Sequence, residues 1–287
     1  MDDRTPFAAG ESCLLFDDRG RTFLLTLRAD GEFHFHNGML AHAAIIGRLP
    51  GAVLQSSRSV DLIAVRPRLA DYVVKMKRGA TVLYPKDAGA ILVWADIGPG
   101  MTVLEAGTGS GALAMALTRA VGSGGRVVSV ERRADHGAIA RKRIVGFFGE
   151  IPKQLELRIG DVEKAIGVVR PDRIVLDLPE PWHAVPGAAE HLPAGGIFSC
   201  YLPTVPQVQE VREALAETDR FLDAATFEIL MRDWAVEGRP CVPSIEWSGT
   251  PDSSPSPGRG WKGPDDQGSM KMHSPGHSSA LSTTRSS

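Results

Sequence analysis

The chain has 287 residues, of which 43% are hydrophobic and 23% are charged, and its net charge is −2. These values are typical of a globular protein with one large or two modest domains, and they exclude attraction of nucleic acid by overall charge. No apolar stretch is long enough to cross a membrane, and the first residues lack the apolar segment of a secretory signal. The three widely spaced cysteines, Cys13, Cys200 and Cys241, indicate neither a disulfide framework nor a zinc site, so we expect a cytoplasmic protein.

Residues 1–67 have the pattern of a small antiparallel β domain. Apolar runs at 13–16, 22–27 and 60–65 are typical of strands, and turn-forming residues separate the first two. Nearby histidines such as His34 lack a carboxylate or cysteine to complete a ligand set, so we expect no metal site. Helices are predicted in the linker at 68–100, from Leu69 to Met76 and from Asp87 to Trp94.

The rest of the chain is organised around the sequence VLEAGTGSGA at 103–112. A short apolar run breaks into glycines and continues as a helix-forming segment, which is the first unit of a doubly wound α/β sheet. Gly107, Gly109 and Ala112 match the dinucleotide fingerprint, which leaves a nicotinamide or flavin cofactor open. However, Glu105 before the first glycine favours a cationic amino group over a pyrophosphate. S-adenosylmethionine (SAM) carries an ammonium and a sulfonium and no phosphate.

Four acidic residues fall at the carboxyl ends of successive predicted strands: Glu105, Glu131, Asp161 and Asp177. Ligands of open α/β sheets bind beyond these ends. Glu131 lies where a ribose diol is held in NAD and SAM folds alike, so it does not separate the two cofactors. A carboxylate at Asp161 would suit the adenine amino group of SAM.

With these residues in place, the chain resembles the bacterial tRNA (adenine-58-N1)-methyltransferases, particularly the actinobacterial form, over roughly residues 10–240. The motifs that carry the resemblance are Tyr84-Pro85-Lys86-Asp87, Glu105 to Leu113, Glu131 with His136, Asp177 with Pro181-Trp182, and Tyr201-Leu202-Pro203. The resemblance implies an α/β fold with a Rossmann-like class I methyltransferase sheet at 68–240, an N-terminal β domain and a homotetramer acting on tRNA.

The resemblance also implies which residues bind SAM. Ser110, Gly111, Ala112 and Leu113 would line the methionine side, and Glu131 would hold the ribose. His136, Asp161 and Asp177 would complete the pocket.

The reaction can be argued from its chemistry. Adenine N1 has an in-plane lone pair and attacks the SAM methyl group directly. A carboxylate near the exocyclic amino group orients the base and stabilises the cationic product, and we assign this role to Asp177. Tyr84 is the candidate wall of the base pocket. Because N1 lies on the pairing edge, the base must leave its tRNA stack. The candidates for phosphate contacts are Arg66, Arg68, Lys75, Lys77 and Arg78.

The resemblance ends near Gly238. The family continues with a segment like VRPEHRMVGHTGFLVT, its last strand, and plausible codons for that segment, read from the second base, give Cys241 to Ser254 of this chain. A frameshift near 238–241 is therefore our hypothesis, with a natural linker as the alternative. We expect the tail at 241–287 to be disordered and the sixth strand to lack its neighbour. Methylation of another substrate, nicotinamide-dependent oxidoreduction and an inactive RNA-binding or assembly remnant stay open.

Overall fold

The computed structural model describes residues 4–76, 82–235, 242–243 and 278–284. The strands are β1 (Ser12–Asp17), β2 (Thr22–Thr26), β3 (Glu32–Phe35), β4 (Gly38–Ala41), β5 (Ala52–Gln55), β6 (Asp61–Val65), β7 (Thr102–Ala106), β8 (Arg126–Glu131), β9 (Leu155–Ile159), β10 (Arg173–Leu176), β11 (Ile197–Leu202), β12 (Phe221–Phe227), β13 (Trp234–Ala235), β14 (Val242–Pro243) and β15 (Ser278–Thr284). The helices are α1 (Leu69–Lys75), α2 (Pro85–Trp94), α3 (Ala112–Val121), α4 (Ala134–Phe148), α5 (Val162–Val169), α6 (Val185–His191) and α7 (Val205–Thr218).

The N-terminal strands form an antiparallel sheet in the order β2-β1-β6-β5, and β3 and β4 form a separate hairpin. The turn between β1 and β2 is closed by the Asp17 carboxylate, which accepts hydrogen bonds from the backbone N–H groups of Arg19 at 3.0 Å and Arg21 at 2.9 Å. Leu15 and Leu62 are fully buried in the core of this region.

The large sheet has the order β12-β15-β11-β10-β7-β8-β9. Its strands run parallel except for β15, which is antiparallel to both neighbours. Helices α1 to α4 pack on one face, and α5 to α7 pack on the other. The chain order therefore reverses between β7 and β10, and this switch point is where open α/β sheets bind their ligands. The α/β fold class is confirmed.

Strand β15 corrects the prediction for the end of the chain. The sequence led us to expect a disordered tail and a sixth strand without a neighbour, but Ser278–Thr284 lies between β11 and β12 and pairs with both. Without β15, the facing edges of β11 and β12 would have backbone N–H and C=O groups without hydrogen-bond partners. The remaining tail residues, 241, 244–277 and 285–287, lie outside the described residues, as does most of the segment in the frameshift hypothesis.

No helix in the described ranges combines the length and the apolar character needed to cross a membrane.

Candidate functional site

The glycine turn after β7 meets the end of β10. Gly107 has φ +89°, and a Cβ atom there would lie 2.0 Å from the backbone oxygen of Asp177. Any other residue would force the two strand ends apart, so glycine is required both for its backbone conformation and for this close approach. Gly109 and Gly111 also have positive φ, at 48° and 81°. The turn thereby brings Asp177 against the glycines, as the strand-end argument predicts.

Glu105 is the most deeply buried acid of the site. Its side chain is completely inaccessible, and neither carboxylate oxygen has a hydrogen-bond partner among the described residues. Burial raises the pKa of Glu105 to about 7, against the opposing effect of the nearby Ser129 hydroxyl, and the charges of Asp177 and Glu131 raise it further. A buried carboxylate without a partner is costly unless a cation or donor joins it.

Glu131 organises the turn from the neighbouring strand. Its Oε2 atom accepts a hydrogen bond from the Gly109 N–H at 3.0 Å, and its Oε1 atom accepts one from the Arg133 N–H at 3.0 Å. Each carboxylate oxygen retains a second lone pair. Glu131 also lines a cavity of about 240 Å³ between α4 and β9. The carboxylate is therefore fixed in orientation and still able to accept from a diol.

The start of α3 supplies backbone donors beside the turn. Gly111 precedes the helix in a left-handed conformation, and the Ser110 hydroxyl accepts a 3.3 Å hydrogen bond from the Ala112 N–H. The side chains of Ala112 and Leu113 are buried in the core. These two residues can therefore contact a ligand through the backbone at the helix start.

Asp177 directly follows β10 and is half-buried. Its carboxylate accepts no hydrogen bond from the described residues, and burial raises its pKa to about 6. Tyr84 is half-buried at the start of α2. Leu176 pairs with Cys200 of β11, so Asp177 and Tyr201 follow at neighbouring positions, and the Tyr201 hydrogen bond to Asp87 brings the start of α2 to the same end of the sheet.

Two further predicted SAM ligands, Asp161 and His136, lie at the end of β9 and at the start of α4. The Asp161 carboxylate pairs with Arg132 Nε at 3.0 Å and with Lys164 Nζ at 3.2 Å, and these partners hold its pKa below the usual range. His136 lies half-buried in the first turn of α4. Within the described ranges, no side-chain hydrogen bond or ion pair joins His136 to Glu131, Asp161 or Asp177. Asp161 lies near Glu131, because the N–H group of the preceding residue, Gly160, donates to the Glu131 backbone oxygen at 2.9 Å.

The predicted phosphate contact at Arg66 is wrong. Its side chain is 4% exposed, pairs with Glu11 at 2.9 Å and stacks over the Phe7 ring at 5.0 Å. Arg68 pairs with Asp71 at the start of α1 but is 81% exposed, so its phosphate contact stays a prediction. Lys77 and Arg78 lie outside the described residues. Among the described residues there is no group of three or more His, Cys, Asp and Glu side chains arranged to hold a metal ion.

The sequence reasoning missed the residues behind the candidate base pocket. Tyr201 donates a hydrogen bond to Asp87 at 3.2 Å, and Asp87 pairs with Lys86 at 2.6 Å. The sequence predicts that the helix begins at Asp87, but α2 begins at Pro85, two residues earlier. Both residues belong to motifs of the family resemblance, at 84–87 and 201–203, but only the fold shows that these two motifs are in contact.

The residues present fit SAM better than a dinucleotide. Two acids, Glu105 and Asp177, are buried without hydrogen-bonded partners in the described part of the chain, and both gain from a nearby positive charge. A pyrophosphate would instead add negative charge beside them. Glu105 would hold the ammonium, Glu131 the ribose diol, and the α3 start the methionine carboxylate.

Comparisons with known proteins identify the family of this chain. The family model described as "tRNA methyltransferase complex GCD14 subunit" matches residues 59–248, and a TrmI-like N-terminal model matches residues 6–54. The tRNA (adenine(58)-N(1))-methyltransferase TrmI of Thermus thermophilus is 39% identical over 224 residues, which cover 78% of this chain and 87% of the relative. The tRNA (adenine(57)-N(1)/adenine(58)-N(1))-methyltransferase TrmI of Methanocaldococcus jannaschii is 35% identical over 260 residues, covering 82% of this chain and 90% of the relative.

Solved structures show the same fold. A SAM-dependent O-methyltransferase from Thermotoga maritima superposes with a TM-score of 0.83 at 25% identity, covering 100% of this chain and 97% of that one. The tRNA (m1A58) methyltransferase TrmI from Aquifex aeolicus superposes with a TM-score of 0.75 at 21% identity, covering 98% and 100%. The chain therefore belongs to the family of the tRNA methyltransferase complex GCD14 subunit.

Proposed function

We propose that the protein transfers a methyl group from SAM to N1 of adenine-58 in the T-loop of tRNA. The observation that carries the proposal is Asp177, whose backbone oxygen lies against the glycine turn and whose carboxylate accepts no hydrogen bond from the described residues. The Thermus relative, at 39% identity, carries this activity in its name. The family shown above supports the same reaction.

In this proposal the glycine turn and two acids bind the methyl donor. When bound, SAM supplies an activated methyl group on a sulfonium. Glu105 neutralises the donor's ammonium group, which explains a carboxylate buried without a hydrogen bond. Glu131 holds the ribose hydroxyls in a carboxylate geometry already fixed by the Gly109 and Arg133 N–H groups. His136 and Asp161 are proposed as outer contacts to the adenosine, for which Asp161 would have to share its Arg132 and Lys164 partners.

Asp177 orients the target base. Adenine N1 needs no general base, because its lone pair is already free once the base has left its pairing partner. Asp177 is ionised above about pH 6, where it accepts an N–H from the exocyclic amino group and stabilises the positive charge that develops on the ring. Tyr84, beside it, stacks on the base that has left the tRNA stack.

We further propose a cytoplasmic homotetramer with a β domain at 1–67, a SAM-binding domain at 68–240 and a tail at 241–287 that contributes strand 278–284 to the large sheet. A cytoplasmic location follows from the tRNA substrate. Support for a subunit contact comes from exposed apolar side chains at the end of α2 and after β12. These are Val93 at 76%, Trp94 at 60%, Leu230 at 71% and Trp234 at 58% exposure. Large apolar patches of this kind mark interaction surfaces.

The test is methyl transfer from labelled SAM to an unmodified tRNA transcript, with a transcript carrying guanine in place of adenine-58 as the substrate control. We expect label in the first transcript alone, and a loss of at least about 100-fold with Asp177→Ala. Calorimetric titration separates SAM binding from NAD binding. Label in both transcripts, or binding of tRNA with no transfer by the native protein, would refute the proposal and favour another substrate or an RNA-binding remnant.

A further inference from the structure

A buried chain of polar contacts lies behind the candidate base pocket. The Lys86 Nζ atom donates to Asp87 Oδ1 at 2.6 Å and to the backbone oxygen of Ile229 at 3.2 Å. The Tyr201 hydroxyl donates to Asp87 Oδ2 at 3.2 Å. The side chains of Lys86 and Asp87 are only 16% and 5% exposed. Three separate parts of the chain, at 86–87, 201 and 229, are therefore joined through the Asp87 carboxylate and the Lys86 ammonium group.

The sheet register places this chain of contacts next to Asp177. Leu176 of β10 pairs with Cys200 of β11, so Asp177 and Tyr201 follow at neighbouring positions of two parallel strands. Asp87 lies in the first turn of α2, where the helix N-terminus favours negative charge. The same helix begins beside Tyr84, so α2 carries both the candidate stacking residue and the acceptor for Tyr201.

The direction of the Tyr201 hydrogen bond matters for Asp177. A phenol has a single O–H proton, and here Asp87 receives it. Asp177 therefore keeps its lone pairs for another donor, in agreement with the absence of a hydrogen bond to its carboxylate from the described residues. Stability alone is a weak reason for the arrangement, because burying a Lys–Asp pair costs desolvation energy that the pair roughly returns.

We infer that Asp87, held by Lys86, is a positioning residue that fixes the Tyr201 hydroxyl away from Asp177 and so keeps the Asp177 carboxylate open for the amino group of the target base. The inference rests on the proposed function, because it takes Asp177 as the acceptor for the base. Without Asp87, the Tyr201 proton would turn toward Asp177 and compete with the substrate.

Kinetics of three variants test the inference. Asp87→Asn weakens the acceptor, and Tyr201→Phe removes the donor. Asp96→Asn is the matched control, because Asp96 follows the same helix, and its carboxylate is 74% exposed in a pair with Arg173. We expect Asp87→Asn to lower kcat for tRNA about ten-fold with a SAM dissociation constant within about two-fold of the native value, and Asp96→Asn to leave both unchanged.

The double variant separates positioning from general damage. Because the competing proton is absent from Tyr201→Phe, adding Asp87→Asn to that variant should lower kcat by much less than about ten-fold. Equal losses from Asp87→Asn with and without the Tyr201 hydroxyl would overturn the inference. So would a parallel loss of SAM affinity.

A spectroscopic measurement tests the contact without relying on activity. The chain has three tyrosines, so ¹³Cζ-tyrosine labelling gives three resonances, assigned with single Tyr→Phe variants. Asp87→Asn should shift the Tyr201 resonance and leave that of Tyr72, whose hydroxyl donates to the Arg143 backbone oxygen at 2.8 Å. An unmoved Tyr201 resonance would refute the positioning role. If Asp87→Asn shifts the Tyr201 resonance as expected but the native protein transfers no methyl group to tRNA, the proposed function alone would be refuted.

Discussion

Replacement of Glu105 by glutamine should show separately how much the buried charge destabilises the ligand-free protein and how much it contributes to SAM affinity. Burial raises the pKa of Glu105 from 4.5 to about 7, a difference of about 2.5 units. At about 1.36 kcal/mol per unit, ionising Glu105 costs the ligand-free protein roughly 3 kcal/mol. The pKa of Glu105 is higher in the folded state than in the unfolded state. Its contribution to the free energy of unfolding is therefore fully present below about pH 4.5 and is lost as the pH rises to about 7.

Glu105→Gln removes this titration while keeping nearly the same shape. The stability of the ligand-free variant, relative to the native protein, should therefore rise by roughly 3 kcal/mol between about pH 4.5 and pH 8. For a chain of this size that difference corresponds to about 6–12 °C in melting temperature. Thermal unfolding of both proteins over this pH range, without SAM, measures it directly.

Binding should show the opposite effect. In the native protein the ammonium of SAM favours ionised Glu105, so affinity should rise about ten-fold per pH unit below pH 7 and level off above it. Glu105→Gln should lower affinity at about pH 8 by roughly 100-fold and lose this pH dependence. Methylthioadenosine, which lacks the amino-acid part of SAM, should bind both proteins equally.

Calorimetry in buffers of different ionisation enthalpy gives the affinity and the proton release together. The reasoning fails if the two ligand-free proteins have parallel stability profiles, because Glu105 would then not be the buried titrating group. It also fails if methylthioadenosine loses as much affinity as SAM.

Three further perturbations test other parts of the site. Gly107→Ala should destabilise the protein by about 2–5 kcal/mol and abolish SAM binding, because the new Cβ would meet the Asp177 backbone oxygen. The control is Gly100→Ala, at a similar positive φ of 86° but with open space around it. In urea unfolding this control should lose only about 1–2 kcal/mol. The pH profile of kcat/KM for tRNA should fall below about pH 6 as Asp177 is protonated, and Asp177→Asn should lower the rate about 100-fold and remove that limb. Deleting 278–284 should leave β11 and β12 unpaired along facing edges and produce a less cooperative urea transition with aggregation, and an unchanged transition would show that the sheet does not need this strand.

The sequence was informative where one local pattern determines both structure and chemistry. A glycine turn between an apolar strand and a helix predicts its own geometry, and Gly107 has the positive φ that such a turn demands. Acids at strand ends must meet when the strands are parallel, so Glu105 and Asp177 could be placed together without coordinates.

The sequence was uninformative where a residue's partner is distant in the chain. Arg66 has the composition of a surface cation, but the fold buries it between Glu11 and Phe7. Asp161 follows the carboxyl end of β9 as expected, but the sequence does not show that Arg132 and Lys164 pair with its carboxylate. The strand Ser278–Thr284 has a serine- and threonine-rich composition that gives no hint of pairing, because the requirement comes from the open backbone groups of β11 and β12.

The physical states of the four acids explain why the site favours a methyl donor with positive charge. Glu131 and Asp161 already have donors that stabilise their ionised forms, so they gain little from an added cation. Glu105 and Asp177 are buried with raised pKa values, so each gains when positive charge arrives beside it. In the proposed reaction the charge passes from the sulfonium of the donor to the adenine ring of the product. A carboxylate that is costly to ionise in the empty site therefore stabilises the positive charge of the donor and of the methylated base. The same carboxylate would repel the pyrophosphate of a dinucleotide.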